Sequence, residues 1–246
     1  MGMGAKDPKI MDMTRPDLRQ AIAAEPDAVM AEFDHLIVGA PVYFGKLPAQ
    51  AAVCIESIKG NGKGATAIVV YGNRDYGVAL HRLVESLQKN GFTVMVAGAF
   101  IGQHSYSDIV PVAMGRPDKA DLEKAYGLGM NSSNASRSLA LEDIPVQTDF
   151  ISRSDMYMPL KPTFIPELCI QCGICADCCP MGILSPDTGS CLSRAAEERC
   201  IGCMACVFNC PQKARIAKAN VIMKLAMKYI LRKAAKERSE PLMLLP

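Results

Sequence analysis

One cysteine pattern occurs twice in this chain of 246 residues: Cys169-x2-Cys172-x2-Cys175-x3-Cys179-Pro180, then Cys200-x2-Cys203-x2-Cys206-x3-Cys210-Pro211. Each cysteine of the first run recurs 31 residues later, Cys169 at Cys200 and Cys179 at Cys210 alike. Eight soft thiolates this close together restrict what the segment can become, because its loops must wrap metal. A zinc site usually takes two Cys-x2-Cys pairs per ion, whereas here three cysteines fall at x2 spacing in each run. Disulfide frameworks belong to secreted chains, and residues 1–31 contain no apolar run of the length a signal peptide needs. The spacing points to iron–sulfur clusters, since short spacers let one loop cover three corners of a cubane.

The doubled run, closed each time by Cys-Pro, resembles the bacterial two-cluster ferredoxins. In that pattern the fourth cysteine of each run ligates the other cluster. The resemblance implies one [4Fe–4S] centre on Cys169, Cys172, Cys175 and Cys210, and a second on Cys200, Cys203, Cys206 and Cys179. Cys54, Cys178 and Cys191 stand outside this scheme. Cys178 adjoins Cys179, but the matching position in the second run is Asn209. The default for a spare cysteine is a small, buried apolar residue.

Length and composition allow one large domain or two smaller ones, and at 50% hydrophobic residues neither half reads as disordered. No run of about 18 apolar residues exists, so no bilayer span is expected. A cytoplasmic protein follows, where thiols stay reduced, and exposed cubanes suit an anaerobic cell. The net charge of +2 argues against a nucleic-acid binder.

Ahead of the cysteines, residues 35–39, 65–71 and 92–99 are short, nearly continuous apolar runs, the pattern of strands covered on both faces. Helical stretches lie between them at 47–59 and 77–90, the second with Leu80, Leu83, Val84 and Leu87 at helical spacing and Asn90-Gly91 as a stop. Another helix is expected from Arg116-Pro117-Asp118. Alternating strand and helix predicts a parallel α/β sheet, whose ligands bind at the carboxyl ends of the strands. There the chain places Pro41, Val42, Tyr43, Phe44 and Gly45, then Gly72, Asn73, Asp75, Tyr76 and Gly77, then a Gly-Gln-His-Ser-Tyr-Ser run from Gly102. Glycines let backbone approach a flat ligand, and tyrosines can stack on it.

These loops resemble the flavodoxin family, and with the cysteine runs the chain is similar to flavodoxin–ferredoxin fusion proteins of anaerobic bacteria and archaea. The resemblance covers residues 33–211. It implies FMN held by the ten loop residues from Pro41 to Gly77 named above, beside two [4Fe–4S] clusters. One departure is serious: the family's opening strand and Ser/Thr-Gly-Thr-Gly loop, which hold the FMN phosphate at a helix N-terminus, have no counterpart here. Residues 9–11 look like the family's second strand, so its first strand and helix are missing. A start codon set too late, a second polypeptide supplying the strand, or a domain that no longer binds flavin would each account for this. Weak FMN binding or none is expected, and removing an inner strand leaves either a gap or a direct pairing of the second strand with the third.

The domain plan is an incomplete flavodoxin-like domain over 1–131, a linker over 132–163, a small α+β two-cluster ferredoxin domain over 164–215 and a basic amphipathic helix and tail over 216–246. In the linker, Met156, Tyr157, Met158 and Leu160 are expected to pack on one of the domains. Residues 213–238 carry nine Lys or Arg against one acid, Glu237. Lys224, Lys228, Arg232 and Lys236 recur every fourth residue and form one stripe of a helix, with Ile222, Met223, Ala226, Met227 and Ile230 opposite. The plain expectation is a helix packed on the ferredoxin core; the sharper one is contact with an acidic redox partner or anionic lipid. Function reads as electron transfer through two clusters, coupled to FMN if flavin is held. The alternative is a non-catalytic ferredoxin-type subunit whose incomplete α/β domain docks on a partner oxidoreductase by strand addition.

Overall fold

The computed structural model describes residues 8–135, 137–147 and 160–246; Met156, Tyr157 and Met158 lie outside them. Two short helices open the chain, α1 (Pro16–Ala24) and α2 (Pro26–Ala31), each started by a proline whose missing N–H no helix needs at that point. Residues 9–11 are not the strand their resemblance suggested: they carry no regular structure, and Lys9 pairs with Glu32 at 2.5 Å.

The three apolar runs form β1 (His35–Pro41), β2 (Gly64–Tyr71) and β3 (Thr93–Ile101), with α3 (Ala49–Ser57) and α4 (Ala79–Lys89) as crossovers. β2 pairs in parallel with both neighbours, Val38 opposite Ala67 and Ala67 opposite Ala97. One face of the sheet presents Ala65, Ala67, Val69 and Val94 to Ile55 of α3 and to Leu80, Leu83, Val84 and Leu87 of α4, all fully buried. The helical spacing of those leucines is what turns α4 onto the sheet. Asn90 closes it, its side-chain amide donating to the carbonyl of Ile55 at 2.9 Å. The other face is smaller, with Val96 and Phe100 packed on Leu128 of α5 (Lys119–Asn134). Asp118 caps α5: its carboxylate accepts from the Asp121 N–H, and the Asp121 carboxylate accepts from the Asp118 N–H.

Beyond α5 the chain leaves the sheet. β4 (Thr163–Phe164) and β5 (Arg215–Ile216) pair antiparallel around α6 (Ile174–Asp177), α7 (Arg194–Glu198) and α8 (Ala205–Phe208). Then α9 (Val221–Leu231) crosses back, and β6 (Leu242–Leu244) pairs antiparallel with β3, Met243 opposite Gly98. The order is β1-β2-β3-β6, so the expected parallel sheet is in fact mixed, and its fourth strand comes from the tail. Gly98 makes room for it: a Cβ there would stand 2.8 Å from the Phe100 ring and 3.1 Å from the Leu242 carbonyl. Among the described residues β1 pairs with β2 alone.

The returning segment is clamped by Asn73, which is 5% exposed. Its amide donates to the carbonyls of Ala234 and Glu237 at 2.8 and 2.7 Å, and its oxygen accepts from the Ser239 N–H at 2.9 Å. Losing three such bonds, with buried partners left unpaired, is expected to lower stability by about 3 kcal/mol in Asn73→Ala. Limited proteolysis should then cut within residues 232–246. Because Asn73 sits at φ +60°, Asn73→Gly serves as the variant that relieves the backbone yet still loses the bonds. A cleavage pattern unchanged from wild type in both variants would refute the clamp.

Candidate metal centre

The two cysteine runs fold as copies of each other. α6 and α8 start and stop 31 residues apart, and so do three pairs of left-handed residues: Gln171 and Gly202, Gly173 and Met204, Gly182 and Lys213. Each pair has one glycine and one residue with a side chain, so the repeated feature is the backbone path around the thiols. A side chain in that region costs about 1–2 kcal/mol, which the surrounding packing must offset; Met204 is fully buried.

Between the copies lie two cavities. Cys169, Cys172, Cys175 and Cys210 line the first; Cys179, Cys200, Cys203 and Cys206 line the second. Each therefore takes three cysteines from one run and the last from the other. Among the described residues no three His, Cys, Asp or Glu side chains meet as ligands of a single ion would, so the thiols border volumes instead of converging on a point. Gly189 helps open the first: a Cβ there would stand 3.1 Å from Cys169 Sγ. Cys178 is not part of either wall, and its thiol donates to the Cys175 carbonyl at 3.6 Å. Cys191 does line the second cavity, a placement its sequence position did not signal. Cys54 is buried in the α/β core, which pushes its thiol pKa up.

Arg215 lines both cavities and is 4% exposed. Its guanidinium lies 4.9 Å from the centre of the Phe164 ring and donates through Nη2 to the Gly189 carbonyl. Its Nε–H is buried without a partner. A buried cation with an orphan donor suits a volume that holds negative charge and sulfur acceptors, so these residues fit a cluster on either side. Sequence reading missed this residue, although the 31-residue register sets it against the apolar Leu184.

The loops expected to hold FMN converge as well, on a third cavity of about 290 Å³ at the carboxyl ends of the strands. Val42, Tyr43, Phe44, Gly45, Gly72 and Asp75 line it, together with His104 and Tyr106. The other four candidates are elsewhere. Pro41 ends β1, Asn73 holds the tail, and Tyr76 packs edge-on against Tyr71 at 5.5 Å. Gly77 lies against Gly45, whose carbonyl a Cβ would meet at 2.4 Å. The far wall is formed by Ile201 and Gly202 of the second cysteine run and by Met223, Ala226, Met227 and Ile230 of α9. Thus α9 covers the strand ends, with Met227 and Leu231 packed among Val110, Val112 and Leu160, and is not seated on the cysteine loops. Burial holds His104 near pKa 4, with Arg74 adding to the effect, so its imidazole is neutral at pH 7. Burial also raises the Tyr43 phenol, and neighbouring Cys203 adds to this. No phosphate-binding loop accompanies the cavity among the described residues.

Comparison with known families bears on the cysteine region alone. Residues 166–182 match one family described as a 4Fe-4S binding domain, and residues 196–216 match another of the same description. No curated protein and no solved structure matches the chain. The C-terminal part therefore carries two 4Fe–4S-binding, ferredoxin-type domains, joined to an α/β domain. No helix among the described residues is long and apolar enough to cross a membrane.

Proposed function

We propose that the chain carries single electrons through two [4Fe–4S] clusters, one on Cys169, Cys172, Cys175 and Cys210 and one on Cys200, Cys203, Cys206 and Cys179. The observation that carries this reading is the sorting of eight cysteines into two cavities, each drawing its last thiol from the other run. The clusters supply the one-electron chemistry; the protein supplies ligands, spacing and charge. Cys172, Ile170 and Leu168 are exposed around the first cavity, which suits it as the port to a separate redox partner. The second abuts the α/β cavity through Ile201, which lines both.

Flavin coupling is the second reading, favoured by the six expected loop residues that do line the α/β cavity. There Tyr43 and Tyr106 would face the ring of FMN. The docking-subunit alternative rests on the outer edge of β1, which pairs with no strand among the described residues and where a partner chain could add one. On α9, Lys224 and Lys228 of the basic stripe lie beside exposed Ile222, Leu225 and Tyr229, while Arg232 and Lys236 follow the helix end; this suits an acidic redox partner or peripheral contact with anionic membrane.

Anaerobic reconstitution with iron, sulfide and FMN, followed by quantification, tests these readings. About eight irons per chain is the expected result. Stoichiometric flavin would establish the coupled carrier, and eight irons without flavin would favour the docking subunit. Fewer than about four irons would overturn the two-cluster assignment.

A further inference from the structure

The guanidinium of Arg215 has no counter-charge of its own. Arg215 is 4% exposed, and among the described residues it forms no ion pair. Glu197, which also borders the second cavity, is exposed and makes no such contact. Its hydrogen bonding is incomplete too: Nη2 donates to the Gly189 carbonyl, while Nε–H has no acceptor. A buried cation of this kind is strongly unfavourable unless something nearby is negative.

Its position in the duplication makes the charge specific. The first run has Leu184 at the matching site, pairing across a bridge with Cys191 as Arg215 pairs with Phe164. Leu184 is buried and apolar, so the fold does not need a charge there. Arg215, however, borders both cavities, in a segment fixed by the Phe164 ring and the β4–β5 pairing.

We propose that Arg215 is the shared counter-charge of the two clusters, and that its guanidinium raises the reduction potential of both. The inference rests on the two-cluster reading above. Each added electron makes a cluster more negative, and a fixed cation between the two stabilises the reduced form of either. The unpartnered Nε–H adds a donor for sulfur. Burial from solvent keeps this interaction from being screened by salt.

The test uses the full chain, reconstituted anaerobically, with iron counted and potentials read by EPR-monitored titration. In Arg215→Leu, which copies the first run, and in Arg215→Gln, about eight irons should remain. The reduction equilibrium of each cluster should fall about ten-fold, a shift of about 59 mV to more negative potential. Arg215→Lys keeps the charge and should recover most of that shift. Unchanged potentials in the Leu and Gln variants at full iron content would overturn the proposal. So would an equal shift in Lys, which would mean that packing and not charge is responsible. If Leu and Gln lose their clusters while Lys keeps them, the same charge requirement is being read at assembly; loss in all three overturns it. Failure of the wild-type chain to take up iron would instead count against the two-cluster reading.

Discussion

A chain carrying both Cys169→Ala and Cys210→Ala should keep about half its iron, roughly four of eight atoms, with a single type of cluster signal. These two residues sit in different runs, 41 positions apart in the sequence, yet border the same cavity. If each run instead built its own cluster, the pair would damage both, and nearly all the iron would be lost. The converse pair, Cys169→Ala with Cys179→Ala, lies within one run but borders both cavities, and should lose both clusters. Iron content of the two double variants therefore separates crossed from uncrossed ligation without any structural measurement. Single variants are less decisive, because Cys191 stands in the wall of the second cavity and could substitute for a missing thiolate. Equal iron loss in the two pairs would sink the crossed assignment.

Replacing Arg116 by Ala should destabilise the α/β domain by about 3 kcal/mol, the low end of what breaking a buried ion pair costs. Arg116 is 8% exposed and grips Asp121, which is 1% exposed, through Nε and Nη2 together. It also donates to the Ser239 carbonyl at 3.1 Å, joining the start of α5 to the returning tail. Without it the Asp121 carboxylate stays buried, relieved only by the Asp118 N–H and by Arg238 at 3.9 Å. That residual cation is why the low end applies. The same pair sets an acid dependence. Hydrogen bonding from Arg116 lowers the Asp121 pKa below its ordinary 3.8, so the stabilisation is complete above that value and is lost as pH falls through the lowered one. In Arg116→Ala this part of the acid sensitivity should vanish. A urea midpoint unchanged at neutral pH would refute the assignment of the pair as a stabilising lock.

The strands and both crossover helices were legible because their signals are local. Leu80, Leu83, Val84 and Leu87 declare one helix face, and Arg116-Pro117-Asp118 announces α5, although Pro117 stands ahead of the Asp118 cap and not in the first turn. Cysteine spacing is equally local, and it identified the residues that border the two cavities. The rest depended on distant partners. Leu242 to Leu244 is too short a run to signal a strand, and it becomes β6 only because β3 offers an open edge and Gly98 a close approach. Residues 9–11 had the reverse fate, since a resemblance marked them as a strand but no edge of the sheet receives them. Asn73 looked like a ligand in a glycine-rich loop; its polar groups are instead consumed by the backbone of residues 234–239. For α9, the periodicity anticipated a helix, but the helix ends at Leu231, ahead of Arg232 and Lys236, Ile222 of the expected apolar side is exposed, and periodicity says nothing of which surface will take that side. Arg215 stood in a run of basic residues, and nothing local set it apart from them.

The return of β6 to β3 alters how the metal-bearing part is attached. A ferredoxin module placed after a finished domain would hang from one tether and could swing. Here the cysteine runs are an excursion from the sheet, leaving after α5 and coming back through α9 to a pairing at the sheet's β3 edge. Both ends are anchored, so the module cannot rotate away without unzipping β6 and breaking the Asn73 clamp. The second cavity thus keeps a fixed separation from the strand-end cavity, with Ile201 in the wall of both. Synthesis is constrained by the same loop. The ribosome makes every cysteine before it makes the strand that completes the sheet, so the α/β domain reaches its final form only after both runs are available for metal.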